Sequence, residues 1–223
     1  DALEIMEGAD PNAVVTLLKE NLENKGIIPA LDESEDYNQA QKELLLSQGY
    51  SEETIIKAQQ FAREKAVSRT DRATYQAMEA LIHNLNTMHS RAGAQTPFSS
   101  INYGMDTSSE GRMVVKNMLL VTEKGLGNGE TPIFPIQIFR VKEGINFNPG
   151  EPNYDLFKLS CRVSAKRLFP NFSFQDAPFN IKYYKGTPET EISYMGCRTR
   201  VMANEYDKTK EISNGRGNLS FTP

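Results

Sequence analysis

Between Phe98 and Leu168 the hydrophobic period switches repeatedly, and this constrains the fold more than any other feature of the chain. Phe98 to Tyr103 is short, β-favouring and closed by Gly104, as a strand is. Thr107 and Glu110 then stand at capping-box spacing, and Val114, Val115, Met118 and Val121 recur with a helical period until Gly125. Ile133 to Val141 reads as a second strand. Pro132 and Pro135 place it at an edge or a bulge, since proline cannot donate to a ladder. Phe157, Cys161, Ser164, Ala165 and Leu168 then share a helical face. Strand, helix, strand, helix in that order predicts an α/β protein, with a barrel or an open sheet both possible.

The flanks are simpler. Asp10 before Pro11 is an N-cap followed by the residue best suited to the first helical position, Val14, Leu17, Leu18 and Leu22 form one stripe, and Gly26 supplies a stop. Asp32 to Gln39 is a polar loop or an acidic helix start. From Ser51 to about Ser90 the chain has neither Pro nor Gly, and Tyr75, Met78, Leu81, Ile82, Leu85 and Met88 predict a well-buried second half to a helix. Beyond Pro170, Ile181 to Tyr184, Arg198 to Met202 and Leu219 to Thr222 are candidate strands between turns. The chain opens on Asp1 rather than Met and closes on a strand-like run, which reads as a piece of something longer.

Composition removes several function classes. A net charge of -4 argues against a broad nucleic-acid-binding surface, which needs clustered Lys and Arg. No apolar run approaches the roughly 20 residues that cross a bilayer, and the start lacks a signal peptide's regions, so a soluble cytoplasmic protein without a membrane partner is expected. His83 and His89, the only imidazoles, stand six apart on a predicted helix and cannot easily share a metal; no metal site is expected. Gly125-Leu-Gly-Asn-Gly follows a helix and precedes a strand, the reverse of a dinucleotide fingerprint, and reads as a turn.

The chain has two cysteines, Cys161 and Cys197. Too few for a disulfide framework, they suggest a reducing compartment. Cys161 lies between Leu159 and Val163 on the predicted helix and is assigned to the core. Cys197, in Met195-Gly196-Cys197-Arg198-Thr199-Arg200, follows a glycine and has two guanidinium groups nearby at a predicted loop tip. Positive charge favours thiolate there, although on these features alone a structural thiol is the somewhat commoner outcome.

Six runs carry a resemblance. They are Ser90-Arg-Ala-Gly-Ala-Gln-Thr-Pro-Phe-Ser-Ser-Ile-Asn-Tyr-Gly104, Gly125-Leu-Gly-Asn-Gly-Glu-Thr-Pro-Ile-Phe-Pro135, Pro152-Asn-Tyr-Asp-Leu156, Ser164-Ala-Lys-Arg-Leu-Phe-Pro170, Met195-Gly-Cys-Arg-Thr-Arg-Val201 and Gly215-Arg-Gly-Asn-Leu-Ser220. From about Arg72 to the end the chain resembles class III, anaerobic, glycyl-radical ribonucleoside-triphosphate reductases. Residues 1–68 then form a helical segment outside the match, and 69–223 a partial catalytic barrel.

The resemblance implies part of a ten-stranded α/β barrel of the ribonucleotide reductase and glycyl-radical enzyme type, threaded by a loop with Cys197 at its tip. It implies that a glycyl radical on a segment absent from this chain takes the cysteine's hydrogen. The thiyl takes the ribose 3′ hydrogen, the 2′ hydroxyl leaves as water, and formate is the reductant. Asn218 matches an asparagine that hydrogen-bonds ribose, though the residues alone make it a turn residue after Gly217. Thr96, Ser99, Ser100 and Thr199 are candidate substrate contacts, with a Pro-stabilised strand entry an equally economical reading of the first three. The resemblance further implies ATP and deoxynucleotide effectors, a homodimer, and an iron–sulfur radical-SAM activating enzyme. The family's second cysteine, radical glycine motif, four-cysteine zinc site and regulatory domain are not visible here, so the fragment is expected to be inactive alone. Two other readings are a non-catalytic nucleotide-binding or dimerisation module that kept the barrel sequence, and a glycyl-radical enzyme of the formate-lyase kind acting on another substrate.

Overall fold

A computed structural model describes residues 8–31, 34–89, 95–182, 184–186, 191–196 and 199–201. The chain divides into two compact units, residues 1–73 and 74–223.

The first unit is helical. Helix α1 spans Pro11–Asn21, and the Asp10 carboxylate accepts the Asn12 N–H that would otherwise be orphaned at the helix start. A 3-10 turn, Glu23–Lys25, ends at Gly26 in the left-handed region. Helix α2 spans Glu35–Ser47 and α3 spans Glu52–Thr87, of which residues up to 73 belong to this unit. Val14, Leu45, Ile55 and Ala58 form its buried core. At about 1.5–3 kcal/mol for each large aliphatic side chain, this cluster is what holds the unit's short helices, which would be marginal in isolation.

The second unit contains the predicted alternation. Strand β1 (Ser100–Tyr103), helix α4 (Ser109–Lys124), strand β2 (Ile136–Val141), helix α5 (Tyr154–Arg167) and strand β3 (Asn171–Phe174) follow in order. The strands pair in parallel as β1-β2-β3. Val115 and Leu119 of α4 and Leu156 and Val163 of α5 bury against Phe139 and Val141, so both helices cover one face of the sheet. Ile82 of α3 joins Met118 and Val121 in a neighbouring cluster. Right-handed crossovers between strands in sequential order put both helices on the same face of the sheet. A short helix α6 (Pro178–Ile181) follows, and then strands β4 (Ser193–Met195) and β5 (Thr199–Val201) form an antiparallel hairpin.

Several expectations change. Strand β2 is central rather than at an edge, because Pro132 and Pro135 precede its ladder and cost it no donor. The Asn86 side chain holds that entry instead, accepting from the Ile133 and Phe134 N–H groups and donating to the Phe134 carbonyl. Ser108, not Thr107, caps α4, its hydroxyl accepting from the Gly111 N–H at 3.1 Å. On α5 the inward face is Leu156, Ser160 and Val163, one position away from the expected stripe, so Cys161 and Leu168 are exposed. The second half of α3 buries only Ile82 fully, with Leu81 and, just past the helix end, Met88 exposed. Residues 181 and 182 end a helical turn, not a strand. Of the predicted strand Arg198 to Met202, residues 199–201 are β5, while Arg198, Met202 and Leu219 to Thr222 lie outside the described residues. Among the described residues no helix is long and apolar enough to cross a membrane.

Candidate functional site

Alternation along β1 divides its side chains between two environments. Ile101 and Tyr103 pack with the helix clusters, which leaves Ser100 and Asn102 on the opposite face. Asn102 stands in register with Ile138, and Arg140 with Ser173, so this second face carries Ser100, Asn102, Arg140, Asn171 and Ser173 beside Ile136 and Ile138. The five polar side chains, on the side of the sheet that α4 and α5 do not cover, require partners.

The hairpin supplies them. Asn102 donates its amide N–H to the Tyr194 carbonyl at 2.7 Å and accepts the Tyr194 N–H at 2.9 Å. Ser100 Oγ accepts the Gly196 N–H at 3.1 Å. Arg140 pairs with Glu191, just ahead of β4, at 3.1 Å. Both partners are largely buried, so this pair is screened less than a surface bridge. Further contacts brace the hairpin from the side: Tyr194 donates its hydroxyl to Asn180, and the Arg200 guanidinium lies 4.6 Å from the Phe179 ring centre. Gly196 has φ +62°, and a Cβ there would sit 3.3 Å from the Phe98 ring.

The strand ends are fixed by two fully buried asparagines. Asn146 and Asn153 both donate to the Gly104 carbonyl, at 2.9 and 3.1 Å. Asn146 also reaches the Arg140 carbonyl, and Asn153 the Asp106 carbonyl. Arg112 donates to Asn153 Oδ1 and pairs with Asp155 through two hydrogen bonds. This network joins the C-terminal ends of β1 and β2 to the start of α5, satisfying carbonyls that no ladder reaches.

The candidate residues divide accordingly. Ser100 touches the hairpin, and Thr199 belongs to it, paired in register with Met195. Ser99 gives its carbonyl to the Ile136 N–H and turns its hydroxyl toward the Pro97 carbonyl at 3.4 Å. Thr96 is half-buried ahead of β1. Cys197 and Asn218 lie outside the described residues, although Gly196 directly precedes Cys197 in sequence. Sequence reasoning missed Asn102, Tyr194, Asn146 and Asn153. Polar Ser100 and Asn102 alternating with apolar Ile101 and Tyr103 was the available signal for the first.

Cys161, exposed on α5, has its thiol pushed up by local desolvation, which disfavours thiolate there. Among the described residues no three His, Cys, Asp or Glu side chains gather to hold a metal ion.

The family model described as anaerobic ribonucleoside-triphosphate reductase matches residues 37–223, beginning well ahead of the six runs. The anaerobic ribonucleoside-triphosphate reductase of Escherichia coli (strain K12) is 34% identical over 155 residues, 69% of this chain and 21% of that protein. The corresponding protein of Haemophilus influenzae is 35% identical over 150 residues, 67% of this chain and 20% of its own. That of Enterobacteria phage T4 is 37% identical over 155 residues, 69% of this chain and 25% of its own. The chain thus spans a quarter or less of the relatives it matches, with residues 37–223 carrying the family's pattern almost throughout: it belongs to the anaerobic ribonucleoside-triphosphate reductase family.

Proposed function

We propose that this chain is part of the catalytic barrel of an enzyme that reduces ribonucleoside triphosphates to deoxyribonucleoside triphosphates, with the β4–β5 hairpin presenting Cys197 to the ribose. Residues 69–223 belong to that barrel, and residues 1–68 are a helical segment ahead of it. The observation that carries the reading is the hairpin's attachment to the polar face of the parallel sheet through Ser100, Asn102 and Arg140, with Gly196 at the point of contact.

The chemistry is radical. A glycyl radical elsewhere in the full protein takes the hydrogen atom of the Cys197 thiol, and the thiyl so formed takes the ribose 3′ hydrogen. The 2′ hydroxyl leaves with a proton as water, formate gives a hydrogen atom to C2′ and an electron to the 3′ carbonyl as it becomes carbon dioxide, a proton adds to the 3′ oxygen, and the thiol returns its hydrogen to C3′, regenerating the thiyl. Asn218, a neutral donor and acceptor, orients the ribose hydroxyls, and Thr96, Ser99, Ser100 and Thr199 line the approach. Water must be kept from the intermediate, a condition that a closed barrel meets. A homodimer, ATP and deoxynucleotide effectors and an iron–sulfur activating enzyme complete the reading, on the strength of family membership.

The test compares full-length wild type with Cys197→Ala, prepared anaerobically with the activating enzyme. Glycyl radical is read by EPR beside deoxynucleotide formation and formate consumption. A variant that holds the radical and makes no product supports the reading. A variant that still makes product makes Cys197 structural, and a wild type that binds nucleotide without turnover favours a non-catalytic module.

A further inference from the structure

We infer that Asn102 is a positioning residue: its side-chain amide sets the register at which the Cys197 hairpin lies along β1, and so where the thiol stands. This rests on the reading that Cys197 reacts with the ribose.

A hairpin of two three-residue strands is at best marginally stable alone, so its place in the fold is decided by what it docks against. On β4, Tyr194 gives both of its backbone groups to the Asn102 amide. In an antiparallel pair such groups alternate along a strand between facing the partner and facing away. Ser193 and Met195 therefore turn theirs toward β5, and a slip of one residue brings the wrong edge of β4 to Asn102. The amide is directional as well, since its N–H meets a carbonyl and its oxygen meets an N–H, which fixes the orientation of the group.

Ser100 extends the match. Moving back two residues along β1 from Asn102 reaches Ser100, and moving forward two from Tyr194 reaches Gly196, just past β4, whose N–H Ser100 accepts. A slip of two residues would keep the correct edge of β4 but lose the Ser100 contact and carry Gly196 away from Phe98. Arg140 with Glu191 anchors the hairpin's entry but, as one long ion pair, selects charge rather than register. The fine setting falls to Asn102. It matters because reacting atoms must lie about 3–3.5 Å apart, and a misplacement of about 1 Å can cost on the order of a hundredfold in rate.

The experiment uses the full-length, activated protein with Asn102→Ala and Asn102→Gln. Asn102→Ala is expected to lower kcat by about 10- to 100-fold, with KM for the ribonucleoside triphosphate within about threefold and the EPR radical yield within about twofold of wild type. Asn102→Gln keeps both hydrogen-bonding groups but displaces them by one carbon–carbon bond, about 1.5 Å. It is expected to recover the wild-type melting temperature while kcat stays depressed, whereas a merely stabilising contact would recover both. A second measurement needs no radical: iodoacetamide should modify Cys197 at least about threefold faster in Asn102→Ala, with Cys161 modified at the wild-type rate, both read by peptide mass. Wild-type kcat in Asn102→Ala, full recovery of kcat in Asn102→Gln, or unchanged Cys197 modification overturns the inference. If wild type itself forms no product, the functional reading fails instead, and the modification rates still report on the hairpin.

Discussion

The Arg167 guanidinium, at the last residue of α5, grips the Glu123 carbonyl with two hydrogen bonds of 2.9 and 2.7 Å and so closes the C-terminus of its neighbour α4. The same group donates to the Lys124 and Gly129 carbonyls, gathering the glycine turn around one cation. The last carbonyls of a helix lack intrahelical donors and carry partial negative charge, so a cation there is favoured twice. Arg167→Ala is expected to cost about 2–4 kcal/mol, at about 1.5–3 kcal/mol per hydrogen bond to a charged group with partial replacement by water. Arg167→Lys should recover less than half, because an ammonium cannot reproduce the planar fork. Hydrogen exchange of residues 121–130 in the full-length protein checks this, and unchanged protection there would refute it.

Beneath the sheet, Tyr103 donates to Gln137 at 2.7 Å, Gln137 donates to Thr122 at 2.9 Å, and Thr122 donates to the Met118 carbonyl at 2.8 Å. Gln137 and Thr122 are fully buried, so Tyr103→Phe leaves the Gln137 oxygen without its donor and should cost about 1–3 kcal/mol. Adding Gln137→Leu should recover part of that loss, giving a non-additive double-mutant cycle in chemical denaturation. Burial also pushes the Tyr103 phenol up, which sets a sign. A raised pKa in the folded state makes its contribution fully present below the ordinary tyrosine value of about 10 and lost as pH rises above it. Alkaline destabilisation above about pH 10 should therefore be smaller in Tyr103→Phe than in wild type.

Legibility followed range. The Asp10 cap, the Gly26 stop and the Gly125 end of α4 are local chemistry, and each is found where the residues place it. The α/β alternation was legible because periods of 3.6 and 2 differ over six or more residues. Strand order was not, since nothing local in Ile136 to Val141 tells a central strand from an edge one. β3 was missed because Asn171-Phe-Ser-Phe174 is too short to show a period and has exposed ends. The Asn102 clamp joins residues 92 apart, with no signature at either end beyond a polar position on a strand.

Gly104 should be among the least replaceable residues of the sheet. Its φ is +111°, and a Cβ would lie 2.9 Å from the Arg140 carbonyl oxygen and 3.1 Å from the Phe139 ring. The backbone cannot simply retreat, because Asn146 and Asn153 both donate to the Gly104 carbonyl. Gly104→Ala is expected to cost about 2–4 kcal/mol, combining left-handed strain with overpacking. Gly127→Ala is the control: open space surrounds that position and its φ lies outside the left-handed region, so the change should be neutral or slightly stabilising. Equal melting temperatures for the two variants would contradict the account.

Gly196 tests whether the hairpin tip must keep its backbone as well as its docking. An alanine at φ +62° pays about 1–2 kcal/mol for the left-handed conformation, and its Cβ presses at 3.3 Å on a Phe98 ring that is exposed enough to give way. The cost to folding should therefore stay small. The cost to turnover should not, because relieving the strain rotates the peptide whose N–H Ser100 accepts, and the next residue is Cys197. Activity of the full-length variants is expected to fall in the order Gly, Asn, Ala, Val, since asparagine tolerates the left-handed region and a β-branched residue tolerates it least. Gly196→Ala should lose at least about tenfold in kcat/KM while melting within a few degrees of wild type. Wild-type turnover in Gly196→Val would mean that the tip is held by its side-chain contacts alone, and that the glycine serves only the ease of forming the turn.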